Sequence, residues 1–316
     1  MPSLNGKRIV VTGGAGFLGR QLCQKLESHH PTSIFVPRSS KYDLRDASAV
    51  AQLFADTRPE IIFHLAAATG GVGANRANPG RFFYDNAMMG LQLLEAARTN
   101  CVEKVISTAS VCAYPSSASL PFREEDLWNG YPETTVAAYG LAKRMLWVQA
   151  QAYRQQYGTN AITLFPVNLY GPGDNTDLQT GKVIPALISK FITAQKSNAT
   201  FVEVWGTGAA SRDFLHVSDA AHGLVLAALH FDKPDPVNLG SGQETTIRQL
   251  AEMISDLVGY RGEIEWDRTK PDGQLRCSTD VSRAKSEFGF EASMSLQLGL
   301  QDTIESYRRS GGIPPA

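Results

Sequence analysis

Four residues have types and spacing that could move protons beside a carbonyl. Tyr139 and Lys143 form a Y-x-x-x-K, one turn apart on the same face of an expected helix. An ammonium beside a phenol lowers the phenol's pKa from about 10, so Tyr139 could give or take a proton while hydride moves. Ser110 and Cys112 lie at the end of the preceding strand. The Ser110 hydroxyl could hold the same carbonyl oxygen. The Cys112 thiol, as thiolate, could pull a proton off carbon, which a plain dehydrogenase does not need. The plainer readings are a helix-surface pair for Tyr139 and Lys143, and a small buried hydrophobe for Cys112.

Upstream, Gly13, Gly16 and Gly19 are spaced G-x-x-G-x-x-G, with Phe17 and Leu18 in the same turn. The turn follows a strand and opens a helix, the context in which such glycines admit a dinucleotide pyrophosphate to a helix N-terminus. Ala66, after the third strand, joins the residues expected to line that cofactor. An NAD site usually has an acid at the end of the second strand. Here the chain reads Phe35-Val-Pro-Arg-Ser-Ser-Lys41, without one. Arg38 could clamp a 2′-phosphate, helped by Ser39 or Lys41, so NADP(H) is the expected cofactor. Asp43 and Leu44 are then placed to touch the adenine edge.

These groups need a scaffold that brings strand ends together. Strands are expected at 8–12, 33–37, 61–65, 104–108 and 161–167, and helices at 17–28, 47–56, 81–99 and 136–157. This alternation implies a doubly wound parallel α/β sheet of Rossmann type. After Tyr170 the texture changes, and a smaller, discontinuous mixed α/β lobe is expected over 171–316. The cofactor domain is expected over 1–170, with a return segment near 212–240 in which Val237-Asn-Leu-Gly240 rejoins the sheet.

Composition bounds the class. The chain has 316 residues, 43% hydrophobic and 19% charged, with a net charge of −1. Nothing there points to nucleic acid or to an acidic membrane surface. The four cysteines show no C-x-x-C and read as reduced thiols of a cytosolic protein. The six histidines have no ligand spacing, so no metal is expected. The first strand begins too early to leave room for a signal peptide, and no apolar run approaches about 18 residues.

Taken together, these segments resemble the extended short-chain dehydrogenase/reductase superfamily and, within it, the GDP-L-fucose synthase family. The likeness runs through Ser110-Val-Cys-Ala-Tyr-Pro115, Tyr139-Gly-Leu-Ala-Lys143, Pro166-Val-Asn-Leu-Tyr-Gly-Pro172, Val183-Ile-Pro-Ala-Leu187, Val204-Trp-Gly-Thr-Gly208, Arg212-Asp-Phe-Leu-His216 and Lys270-Pro-Asp-Gly273. That family epimerises carbons 3 and 5 of GDP-4-keto-6-deoxy-mannose and reduces carbon 4 with NADPH. The resemblance implies Tyr139 as proton donor, Lys143 as its electrostatic partner, Ser110 as carbonyl holder and Cys112 as epimerisation base. It implies that Pro166, Asn168 and Leu169 line the nicotinamide, and that Asn168, Lys190, Trp205, Arg212 and Asp272 hold the GDP-sugar. For Trp205, plain core packing is an equal reading.

One departure matters. The family has a histidine before Val-Ile-Pro, as the acid that reprotonates the sugar carbon. This chain has Lys182 there. A lysine can donate a proton, and a cysteine–lysine pair also resembles GDP-mannose 3,5-epimerase, which recycles its NAD. A surface lysine is the plain alternative, and a 4-reductase without full epimerisation would then result. A dinucleotide sensor is a third class, disfavoured because the tyrosine–lysine pair is kept. The helices over 81–99 and 139–157 carry more apolar residues (Phe82, Phe83, Met88, Met89, Leu93, Met145, Trp147, Val148) than one core stripe needs. The surplus fits either a four-helix homodimer contact, as in relatives, or burial under the sheet.

Overall fold

The computed structural model describes residues 3–176, 181–270 and 272–309. Its strands are β1 (Arg8–Thr12), β2 (Ser33–Phe35), β3 (Ile61–His64), β4 (Lys104–Thr108), β5 (Ala161–Pro166), β6 (Asn168–Tyr170), β7 (Phe201–Trp205), β8 (Ser211–His216), β9 (Val237–Leu239), β10 (Glu244–Thr246), β11 (Glu263–Asp267) and β12 (Arg276–Cys277). Its helices are α1 (Phe17–Glu27), α2 (Ala47–Thr57), α3 (Val72–Ala77), α4 (Pro79–Thr99), α5 (Ala137–Tyr157), α6 (Val183–Ser197), α7 (Val217–His230), α8 (Ile247–Val258), α9 (Ser282–Phe288) and α10 (Leu296–Arg309).

The main sheet runs β2-β1-β3-β4-β5-β9, with every pair parallel. Alternate side chains serve opposite faces. Ile9, Val11, Phe63, Ile106 and Leu164 pack with α1, α7 and α9. Val10, Ile62, Val105 and Ala161 pack with α2, α4 and α5. Both faces are therefore covered, which is why these strands read as continuous apolar runs. The second strand ends at Phe35 and not at Pro37, as the sequence suggests. A proline has no N–H for the ladder, and the chain leaves the sheet there.

A second sheet is built on β8, which pairs with β6, β10 and β12. Thus 211–216 belongs to this sheet, and the main sheet is rejoined only at Val237–Leu239. A parallel ribbon of β7 and β11 flanks it. The apolar cluster of this half includes Tyr170, Ile188, Phe191, Phe214, Leu250 and Ile254.

The surplus apolar residues of α4 and α5 divide between the two readings. Phe82, Leu93 and Trp147 are buried, Met88, Met89 and Met145 are half-buried, and Phe83, Tyr84 and Val148 are exposed.

A buried lysine ties α7 to the sheet. Lys104 Nζ, on β4, donates to the carbonyls of Ala227 (3.2 Å), Ala228 (2.7 Å) and Phe231 (2.8 Å), and lies 2.6 Å from the Asp232 carboxylate. It thus adds a donor to the carbonyls at the end of α7, where the Phe231 N–H already reaches Ala227 at 3.1 Å. Lys104→Met should lower the unfolding free energy by about 2–4 kcal/mol, read by urea denaturation, because the Ala228 and Phe231 carbonyls lose the lysine donor. An unchanged midpoint would mean that α7 is held by apolar packing alone.

Candidate active site

One cavity of about 2070 Å³ runs along the C-terminal ends of the main-sheet strands and under β8. Gly13, Gly16, Phe17, Leu18, Gly19 and Ala66 form its floor at one end. A Cβ on Gly19 would lie 2.2 Å from the Gly13 carbonyl oxygen, so only glycine lets α1 start this close to the turn. Gly16 caps α1 without a side chain, which leaves the first-turn N–H groups to the cavity. This cradle of bare backbone at a helix N-terminus fits a dinucleotide pyrophosphate.

Arg38, Ser39 and Ser40 line the cavity beyond the end of β2. Lys41, expected as a helper, instead lies 3.4 Å from Asp56 and over the Tyr42 ring. Asp43 and Leu44 line the wall, but Asp43 is gripped by Arg45 at 2.6 Å. The Arg45 hydrogen bonds hold its carboxyl down at about 2. Arg45 also reaches Asp85 at 3.0 Å. Asp43 therefore meets a ligand as half of an ion pair, not as a free carboxylate.

The reaction centre forms where α5 meets the turn after β4. A Cβ on Gly140 would lie 2.3 Å from the Cys112 carbonyl oxygen. Its absence lets Tyr139 and Lys143 come down beside Ser110 and Cys112, and all four line the cavity. Ser110 Oγ accepts from the Cys112 N–H at 3.2 Å, and Ser110 favours the Cys112 thiolate. Ser110 and Thr69 line the cavity with Tyr139, and both favour its phenolate.

Electrostatics here differ from the sequence expectation. Burial, with Cys112 second, pushes the Tyr139 phenol well up, and Thr69 and Ser110 only partly oppose it. Burial pulls the Lys143 ammonium down to about 8, and its Nζ has no hydrogen-bond partner among the described residues. Lys143 thus does not lower the phenol in the ligand-free chain, because desolvation disfavours both charges. Burial also raises the Cys112 thiol, against Ser110, Lys182 and Arg212, which favour the thiolate.

Pro166, Asn168 and Leu169 line the middle of the cavity, where Asn168 donates to the Asp213 carbonyl at 3.1 Å. At the far end stand Lys182, Trp205, Arg212 and Asp272. Lys182 is exposed, with Nζ 5.9 Å from the Phe17 ring centroid. Trp205 is 61% exposed, which removes the core-packing reading, and Lys190 and Lys270 flank its ring at 5.9 and 5.5 Å. Asp272 accepts from the Thr207 N–H and hydroxyl, both at 2.7 Å, and so braces the turn that carries Trp205. Lys190 is not on the cavity wall; its Nζ donates to the Glu203 carbonyl at 2.8 Å. Pro271 of the Lys270–Gly273 segment lies outside the described residues.

Three further wall residues carry no signal in the sequence. Thr69 follows β3, and loops at the C-terminal ends of parallel strands are where such folds bind ligands. Asp174 is buried with Oδ2 unpartnered, and burial raises its carboxyl against Lys182. Cys277 pairs in register with Arg212, and burial pushes its thiol up to about 12. No histidine lines the cavity among the described residues.

The Lys143 shift has a sign that can be tested. Its folded value, about 8, lies below the ordinary 10.5. Between those values the unfolded chain binds more protons, so stability rises with pH across that window. Lys143→Met should be more stable than the parent chain at pH 7 by on the order of 3 kcal/mol, with the gap closing toward pH 10.5. Urea unfolding without cofactor at several pH values reads this, and a gap independent of pH would refute it.

The NAD dependent epimerase/dehydratase family matches residues 9–240. A GDP-L-fucose synthase of Sinorhizobium fredii strain NGR234 is 37% identical over 304 residues, 96% of each chain. Among solved structures, a GDP-6-OMe-4-keto-L-xylo-heptose reductase from C. jejuni superposes with a TM-score of 0.91 at 28% identity, covering 98% of this chain and 99% of that one. A GDP-L-fucose synthetase from Naegleria fowleri bound to NADP gives 0.89 at 28%, covering 98% and 97%. With its glycine turn, its parallel sheet and its tyrosine–lysine helix in one cavity, the chain belongs to the NAD dependent epimerase/dehydratase family, within the extended short-chain dehydrogenases/reductases.

Proposed function

We propose that this chain is an NADPH-dependent epimerase/reductase of a GDP-4-keto-6-deoxy-hexose, acting as a GDP-L-fucose synthase. The observation that carries this is the meeting of a thiol, a phenol and a serine hydroxyl at one point of a dinucleotide cavity. Near full-length relatives of that name support it. NADP(H) is supported by Arg38, Ser39 and Ser40 in the cavity and by the NADP-bound neighbour.

Residues 1–170 with the 237–239 strand form the cofactor lobe, and most of 171–316 forms the sugar-nucleotide lobe. The glycine turn with Phe17, Leu18 and Ala66 holds the pyrophosphate. Arg38 takes the 2′-phosphate, Asp43 and Leu44 flank the adenine, and Lys143 gains its missing partner from the ribose. Pro166, Asn168 and Leu169 seat the nicotinamide. When bound, NADPH supplies the hydride for carbon 4. Arg212 faces the diphosphate, Trp205 offers a flat wall beside Lys270, and Asp272 braces that wall. The 4-keto oxygen sits against Tyr139 and Ser110. Cys112 takes the proton from an adjacent carbon, and the two hydroxyls hold the enolate oxygen. Lys182 returns a proton from the other face. Tyr139 finally protonates the oxygen at carbon 4.

A second reading, reduction without full inversion, is favoured by one observation. Lys182 is exposed and no described histidine lines the cavity, so the family's histidine has no counterpart of its own type there. The enzyme works in the cytosol as a homodimer through the exposed faces of α4 and α5. Four free thiols suit a reducing compartment. Phe83, Tyr84 and Val148 supply exposed apolar surface on two helices packed together.

The test is the reaction with GDP-4-keto-6-deoxy-mannose and NADPH in deuterated water, followed by NMR. Stoichiometric NADPH oxidation with deuterium at carbons 3 and 5 and an L-galacto product is expected. Oxidation without that deuterium selects the second reading, and no oxidation refutes both. Cys112→Ser should lose deuterium incorporation but keep some reduction, and Tyr139→Phe should lose roughly a hundred- to ten-thousand-fold in kcat.

Light scattering should show a dimer at micromolar concentration, and Val148→Asp should give monomer. A monomeric parent chain would exclude this contact.

A further inference from the structure

Two neighbouring strands of the main sheet converge on one residue of the second sheet. Pro166, at the end of β5, and Leu239, at the end of β9, pair in register. Beyond that pair the two chains separate, yet both reach Asp213 on β8. From the β5 side, Asn168 Nδ2 donates to the Asp213 carbonyl at 3.1 Å. From the β9 side, the Ser241 N–H (3.0 Å) and hydroxyl (2.6 Å) donate to Oδ1, and the Gly242 N–H (3.1 Å) donates to Oδ2. The Thr279 hydroxyl, just after β12, gives Oδ2 its second donor at 3.0 Å.

Asp213 is 0% exposed, so these donors stand in for the water it has lost. Gly240 makes the approach possible: a Cβ there would lie 2.5 Å from Oδ2. Successive residues of a strand face opposite sides. While the Asp213 carboxylate turns to the 240–242 segment, its neighbours Arg212 and Phe214 line the cavity. Arg212 pairs in register with Cys277 of β12, and Phe214 with Asn168 of β6. Donors on the continuations of both flanking strands thus hold the residue between them.

We propose that Asp213 is a positioning residue: through its four donors it locks β8 to the ends of the cofactor sheet, and so fixes the Arg212 guanidinium where it meets a nucleoside diphosphate. The inference rests on Arg212 facing the diphosphate. Asp213 itself is not on the cavity wall and exchanges no proton. Its loss therefore weakens the hold on GDP and leaves the hold on NADPH, which the glycine turn and Arg38 provide at the other end.

The test is a double-mutant cycle read by calorimetric titration of GDP. Asp213→Asn keeps the shape, but either placement of the amide turns its NH2 toward a backbone N–H. It should weaken GDP binding about ten- to a hundredfold, with NADPH affinity by fluorescence equal to the parent's. Arg212→Met should weaken GDP as well. Adding Asp213→Asn to Arg212→Met should weaken it less than about twofold further, because Asp213 acts through Arg212. Ser241→Ala and Thr279→Val each remove one donor and leave the carboxylate. Each should weaken GDP by about two- to tenfold, and they carry the test if Asp213→Asn does not fold. In turnover, KM for the keto-sugar should rise in the same proportion with kcat little changed. Parent-like GDP affinity in these variants overturns the inference. So does an additive double variant, or a matching loss of NADPH affinity, which would mark a general loosening of the fold. A parent chain that binds GDP but does not oxidise NADPH refutes the proposed function, and the GDP cycle still decides the role of Asp213. A parent chain that binds no GDP refutes both.

Discussion

Helix α5 rests on the backbone of Cys112 because residue 140 has no side chain. With the Cβ position 2.3 Å from a carbonyl oxygen, any other residue would drive the helix and the turn apart. That single approach fixes the phenol and the ammonium of α5 relative to the serine and thiol of the turn. The other parts of the site are referred to it. The β3 loop reaches the phenol from one side, and β8 and β12 bring Arg212 and Cys277 under the thiol. A site assembled from two elements in van der Waals contact can hold atoms within a fraction of an ångström, which proton transfer requires.

Close packing has an electrostatic consequence. Tyr139 and Cys112 are both raised by burial and Lys143 is lowered, so each is pushed toward its neutral form. These shifts share one cause, removal from water, and they oppose the charged intermediates that the chemistry needs. The compensating groups are few: Ser110 and Thr69 for the phenol, and Ser110, Lys182 and Arg212 for the thiol. Much of the remaining stabilisation must arrive with the ligands, whose ribose hydroxyls and keto oxygen would meet the unpartnered Lys143 Nζ and the two hydroxyls.

The main sheet was largely legible because its physics is local. Apolar runs over 8–12, 61–65, 104–108 and 161–167 could be buried only as strands with both faces covered, and the glycine spacing named the turn. The end of β2 was overextended because periodicity does not register the missing N–H of Pro37. The fate of β8 was harder to read: 211–216 is nearly as buried as a main-sheet strand but carries Ser, Arg, Asp and His beside Phe and Leu, and its partners, β6, β10 and β12, are fixed only by tertiary pairing. Site residues divide in the same way. Residues on strand ends and the α5 motif fell on the cavity wall. Lys190 did not, because the Glu203 carbonyl, 13 positions away, captures its ammonium. Thr69 and Asp174 were invisible because a threonine beside glycines and an aspartate in a Gly-Pro-Gly-Asp-Asn loop look like ordinary turn residues until the cavity is known.

The two half-reactions make competing demands on one oxygen atom. In the proposed epimerisation, Tyr139 and Ser110 both donate to an enolate oxygen, and Tyr139 keeps its proton. During reduction Tyr139 must release that proton to the same oxygen. A phenol with a strongly raised pKa serves the first task and resists the second; one stabilised as phenolate does the reverse. The observed balance, burial against two hydroxyls, places Tyr139 on the side that keeps the proton in the ligand-free chain. Hydride arrival changes the acceptor from a ketone oxygen to an alkoxide, a far stronger base, and the proton can then move without any rearrangement of the protein. In the proposed reaction, proton exchange at carbon precedes reduction because the neighbouring C–H bonds are acidic only while carbon 4 is a ketone, and the phenol releases its proton once an alkoxide forms.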